Sequence, residues 1–181
     1  MKKSIMLIAA LCMTSVMTFA QKVIRVSTDK TDLVMKVSPK GRLYQVYLGD
    51  KLLNPSDYDN LKWDVYAASD GSVCQRGHEV YATSGAEDFF EPAVAATHAD
   101  GNMTTYLYYK SSEQKTVEGG TETVITLQDK VYPFTVKLHY VAYAKENVIK
   151  AWSEIYHNEK SPVTLWRYSS TMLYFKSSKY F

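Results

Sequence analysis

Between Tyr132 and Tyr143 the chain alternates with a period of two, with Phe134, Val136, Leu138 and Tyr140 on one side and Thr135, Lys137 and His139 on the other. Successive strand side chains point to opposite faces of a sheet, so this pattern requires a strand with one buried face and does not fit a helix. Similar runs precede it. Lys22 to Ser27, Leu33 to Ser38 and Leu43 to Leu48 are separated or closed by turn residues, among them Pro39-Lys40-Gly41 and Gly49-Asp50, the signature of a meander. Val94 to His98 and Thr104 to Lys110 flank Asp100-Gly101, a pair that tolerates positive φ, and this spacing predicts a hairpin. Glu118-Gly119-Gly120 opens Thr121 to Gln128, which Asp129-Lys130 separates from the alternating stretch. Val148 to Tyr156 and Val163 to Tyr168 follow, joined by the turn from His157 to Pro162. No useful window shows a helical period, and fifteen tyrosines in an aromatic content of 13% favour strands. The expected fold is all-β, an antiparallel β-sandwich.

The N-terminus sets the expected compartment. Lys2 and Lys3 precede an apolar run, Ile5 to Leu11, that is too short to span a bilayer, and Thr18-Phe19-Ala20 ahead of Gln21 has the small residues a signal peptidase reads. Residues 1–20 are therefore expected to be a signal peptide and 21–181 a partial N-terminal β-sandwich domain, in an exported, periplasmic or extracellular protein without a membrane anchor. Leu11 before Cys12 argues against lipid attachment, which needs a small residue there. Cleavage would leave Cys74 as the single cysteine, so stability must come from packing. It would also lower Lys+Arg from 21 to 19 against 19 Asp+Glu, a balance that points to no nucleic-acid partner. About 160 residues suffice for one domain with its own core.

Residues able to carry chemistry are sparse. His78, His98, His139 and His157 are too far apart in sequence to form a ligand pair, and Asp57, Asp59, Asp64 and Asp70 lack the glycine and closing glutamate of a calcium loop; no cofactor is expected. Cys74 has no activating context, and no Gly-x-Ser-x-Gly elbow is present. Glycoside hydrolysis needs two carboxyl groups about 5 to 10 Å apart on a rigid frame, and no pair is selected by the sequence. The polar stretch Asn54 to Gly77 reads as a long surface excursion, the kind of segment that often carries function. Within it Asp59, Trp63 and Asp64 combine an indole, suited to the flat C–H face of a sugar, with hydroxyl-binding carboxylates, and they are the candidate substrate contacts.

Gly85-Ala86-Glu87-Asp88-Phe89-Phe90-Glu91-Pro92-Ala93, followed by Asp100-Gly101 and Tyr106, resembles the Gly-x-x-Asp-Phe-x-x-Pro-Ala block of α-galactosidases of glycoside hydrolase family 36. Leu127-Gln128-Asp129, Val136-x-Leu138-x-Tyr140 with Tyr143, Asn147-Val148-Ile149 and Asn158 resemble later strands of that family in the same order. The resemblance implies an N-terminal β-supersandwich that runs beyond Phe181, followed by a catalytic (β/α)-barrel of the same chain in which two aspartates act by a retaining mechanism on α-galactosides. It implies no catalytic residue in the present sequence. Lys62-Trp63-Asp64 resembles the family's nucleophile tripeptide, but it lies upstream of both sandwich blocks rather than at the end of a barrel strand, so that role is not transferred. In relatives this domain can help to shape a neighbouring subunit's sugar pocket, which makes a homo-oligomer a further expectation. A stand-alone carbohydrate-binding module and a purely structural or adhesive sandwich are the alternatives.

Overall fold

The computed structural model describes residues 22–62, 78–86 and 91–175; the expected signal peptide lies outside them. Nine strands and one short helix are present among these residues: β1 (Val23–Ser27), β2 (Thr31–Val37), β3 (Leu43–Asp50), α1 (Pro55–Asn60), β4 (Val94–Thr97), β5 (Leu107–Val117), β6 (Gly120–Asp129), β7 (Phe134–Tyr143), β8 (Val148–His157) and β9 (Thr164–Tyr168). All pairings between the strands are antiparallel. The sheets have the orders β1-β2-β3, β4-β9 and β5-β6-β7-β8.

The chain from His78 to Ser84 joins the first two sheets into one layer. On one side Gln45 N–H donates to His78 O at 2.8 Å and Val80 N–H to Leu43 O at 3.0 Å; on the other Ala93 N–H donates to Ala82 O at 2.8 Å and Ser84 N–H to Val94 O at 3.0 Å. Against this layer lies the four-stranded sheet, whose inner face carries Ile125 and Leu127 from β6 and Phe134, Val136, Leu138, Tyr140 and Ala142 from β7. They pack with Ile24, Val26, Leu33, Met35, Val80, Val94 and Ala96 of the opposite layer in a single core. This is the expected antiparallel sandwich, and the alternation read from Phe134 to Tyr140 is its central strip. The other side of β7 is only partly open to water, since His139 is buried beneath Trp152, with ring centroids 4.6 Å apart.

Three local expectations change. The turn at Asp100-Gly101 forms, with Gly101 at φ 87° and His98 N–H donating to Asn102 O at 2.8 Å, but no hairpin ladder grows from it. Both edges of β4 are already used, one by β9 and the other by Thr83 and its neighbours, so β5 pairs with β6 instead. Second, β5 runs to Val117, well past Lys110. It is the outermost strand of its sheet and mostly exposed from Lys110 onward, so no alternation marks it. Third, α1 falls in the polar excursion. One turn of helix, opened by Asn54-Pro55, starts on the residues that favour a helix N-terminus but is too short to show a period.

Gly85, at the head of the family-like block, has a structural task. Its φ is +73°, and a Cβ there would lie 2.7 Å from the Thr104 Cα, so a larger residue would be strained and would force the two segments apart. Nearby, the buried His98 joins three turns. Its Nδ1 is 2.8 Å from Glu159 Oε1 and its Nε2 is 2.9 Å from Thr105 Oγ1, while its ring stacks on Tyr132 at 3.7 Å.

Tyr140 sits at the centre of the core, and burial pushes its hydroxyl up from 10.0 to about 12. Its folded value lies above the unfolded one, so its contribution is fully present below about pH 10 and is lost as pH rises toward about 12. Tyr140→Phe should therefore lose less stability than the parent between about pH 9 and about pH 11, by roughly 1 kcal/mol, in urea unfolding followed by circular dichroism.

Candidate functional site

Of the three candidate contacts, Asp59 lies on α1 among the described residues, and Trp63 and Asp64 lie outside them. The Asp59 side chain is exposed; what the fold uses is its backbone. Lys36 on β2, only 1% exposed, donates from Nζ to Asp59 O at 2.9 Å and to Leu61 O at 2.7 Å. These carbonyls stand at the helix end, where backbone acceptors lack intrahelical partners. Burial lowers the Lys36 ammonium pKa, and the Asp59 charge opposes the shift.

A second tie fixes the same segment. Tyr58 packs with Val34 and Val46 against the outer face of β2 and β3, and its hydroxyl donates to Asp32 Oδ2 at 2.6 Å. Leu52 N–H donates to the same oxygen at 2.9 Å. Burial alone would raise the Asp32 carboxyl, but hydrogen bonds from Ser27, Tyr58 and Leu52 and the Lys51 charge hold it below the usual range. The loop root is thus fixed onto the sheet by one buried lysine and one buried carboxylate, and Asp59 projects from a rigid base. Neither Lys36 nor Asp32 stands out in the sequence, because a charged residue in an apolar run reads as an outward-facing strand position.

A further surface lies at β9. Trp166 is 67% and Tyr168 72% exposed. Trp166 Nε1 donates to Thr97 Oγ1 at 2.7 Å. Next to them an open cleft of about 320 Å³ is lined by Glu91, Pro92, Arg167, Ser169, Met172 and Tyr174, with an ion pair between Arg167 and Glu91. Among the described residues Glu91 is the only carboxylate in this lining, so they do not supply the opposed pair that glycoside hydrolysis requires. Among the described residues no group of three His, Cys, Asp or Glu side chains could hold a metal ion. The histidines are dispersed here too: His78 stacks on Tyr174 at 4.3 Å, His98 and His139 bond to separate glutamates, and His157 is exposed at the end of β8.

Residues 41–181 match the model of the Glycosyl hydrolase family 36 N-terminal domain. The chain belongs to this family. It is accordingly a glycosidase-associated domain, in which Gly85 packs tightly against Thr104 and Ala93 belongs to the core. Solved structures share its fold. The α-galactosidase from Lactobacillus brevis is similar at a TM-score of 0.66 and 19% identity over 84% of this chain. A variant of the family 36 α-galactosidase AgaA from Geobacillus stearothermophilus, in complex with raffinose, gives 0.69 and 22% over 83%. The galactosidase domain of the α-galactosidase-sucrose kinase AgaSK gives 0.67 and 20% over 82%. The chain spans only 24% of the length of each of these three. No curated protein matches the sequence.

Removal of the Tyr58 hydroxyl tests the loop anchor. Tyr58→Phe leaves a buried carboxylate with one donor fewer and should cost about 1–3 kcal/mol at neutral pH. The depressed Asp32 pKa stabilises the fold above its unfolded value near 3.8 and ceases to do so as pH falls through the folded value. Urea titrations should therefore show the gap between Tyr58→Phe and the parent closing in acid.

Proposed function

We propose that this chain is the N-terminal, non-catalytic β-sandwich portion of an exported α-galactosidase-like glycosidase, with hydrolysis of terminal α-galactosides performed by a barrel domain outside residues 1–181. The observation that carries this reading is the match of residues 41–181 to an N-terminal domain family by a chain covering 24% of its solved relatives. The galactosides raffinose and stachyose are bound in the AgaA variant complexes, which supports the substrate class. The β9 surface supports a covered position for this domain. Trp166 and Tyr168 on β9 and Leu173 and Phe175 after it are each exposed, and among the described residues β9 pairs only with β4. Large apolar side chains left exposed in this way suit contact with further polypeptide. Export is supported by Lys2, Lys3, the apolar run Ile5 to Leu11 and the Thr18-Phe19-Ala20 end.

Purified chain incubated with an aryl α-galactoside should release aglycone no faster than buffer; turnover above background would show that it carries its own catalytic apparatus. N-terminal sequencing of the protein secreted by an expressing cell should start at Gln21. A sequence starting at Met1 would refute the export reading.

A further inference from the structure

The outer face of the four-stranded sheet has aromatic residues where solvent-facing positions are ordinarily small or charged. On β8 the residues Lys150, Trp152, Glu154 and Tyr156 alternate with the core-packed Ile149, Ala151 and Ile155, so all four stand on the side away from the core. Trp152 is half-buried, with one ring face stacked on His139 at 4.6 Å and 11°. β8 ends its sheet, and the exposed Lys150 ammonium lies over the Trp152 ring, 5.2 Å from its centroid. Tyr156 is 48% exposed and is flanked by Lys137 of β7 at 5.3 Å from its centroid. Four residues along the extended strand put the Trp152 and Tyr156 Cα atoms about 13 Å apart, with the Tyr156 ring drawn back toward Glu154 by its hydroxyl, and both side chains stand on the same side, so that a chain ligand lying along β8 would meet both.

The polar groups between the rings are held in position. The Tyr156 hydroxyl donates to Glu154 Oε2, which lies 3.5 Å from His139 Nε2. His139 Nδ1 is 2.7 Å from Glu122 Oε1, and Lys115 Nζ is 2.9 Å from Glu122 Oε2. On this face Glu113, Glu122 and Glu154 are matched by Lys115, Lys137 and Lys150. The balance selects neither a polyanion nor a polycation. Thr135 lies opposite Tyr156 and Gln128 lies opposite Thr135, which adds a hydroxyl and an amide beside the second ring. Two aromatic faces in line, a fixed carboxylate between them and no net charge match a ligand with apolar C–H faces and many hydroxyls.

We propose that the β8 edge of the outer sheet face, with Trp152 and Tyr156 as stacking rings and Glu154 as hydroxyl acceptor, is a binding site for a neutral oligosaccharide chain lying along the strand. The site is remote in sequence from Asp59, Trp63 and Asp64, and it does not rest on the glycosidase reading, because it needs no catalytic domain.

Affinity electrophoresis of the full chain through gels containing galactomannan tests it, with polygalacturonate as the charged comparison. The parent should be retarded by galactomannan at low and high salt alike. Trp152→Ala and Tyr156→Ala should each weaken the retardation, Trp152→Ala by at least about tenfold, and Trp152→Phe should restore part of it. Since Tyr156 is exposed, Tyr156→Ala keeps the test valid if Trp152→Ala proves unfolded by circular dichroism. Absence of retardation in galactomannan, equal retardation of parent and both alanine variants, or salt-sensitive retardation by polygalacturonate alone would each overturn the proposal. The readout is binding by the chain itself, so it stands or falls separately from any galactosidase assay.

Discussion

The inner strip of β7, Phe134, Val136, Leu138, Tyr140 and Ala142, is the surface on which the rest of the sandwich depends. Each of these side chains faces the opposite layer, and burial of such residues contributes roughly 1.5 to 3 kcal/mol apiece for the larger ones. The opposite layer consists of β1-β2-β3 and β4-β9 and is continuous only because residues His78 to Ser84 hydrogen-bond on both sides. Without the apolar strip nothing would hold Val80 and Ala82 in the interior, and the layer would separate into a meander and an isolated pair of strands, neither of which has enough core to stand alone.

Strands with one buried face are legible in the sequence because their environments differ between alternate residues. β7 shows this most plainly, and the runs that predict β1, β2, β3 and β6 agree with the structure to within a few residues. Elements whose surroundings do not alternate stay hidden. The outer half of β5 is exposed at an edge, and α1 is a single turn. The pairing of β4 with β9 is masked by a local signal: Asp100-Gly101 makes a good turn, but a turn does not determine which strand occupies the adjacent edge.

The candidate loop is legible as an excursion, yet its anchors are not. Lys36 and Asp32 become recognisable only once α1 supplies carbonyls for one and a tyrosine hydroxyl for the other, contacts made across sequence separations that no local window contains. Trp152 is hidden for a related reason, since its partner His139 faces it from another strand. Motif resemblance carries more information than residue chemistry. The Gly85 block points to the family, and in the structure Gly85 and Ala93 are closely packed.

Buried groups such as Lys36, Asp32 and His98 tie loops to sheets, which fits the proposal that this domain supplies framework and that hydrolysis is performed by another part of a longer polypeptide. The mass of the native protein tests this most directly. Immunoblotting of the source cells with antibodies raised against this chain, followed by intact-mass measurement of the captured protein, should find a polypeptide several-fold heavier than 20.6 kDa. A sole product at or just below 20.6 kDa would contradict the account.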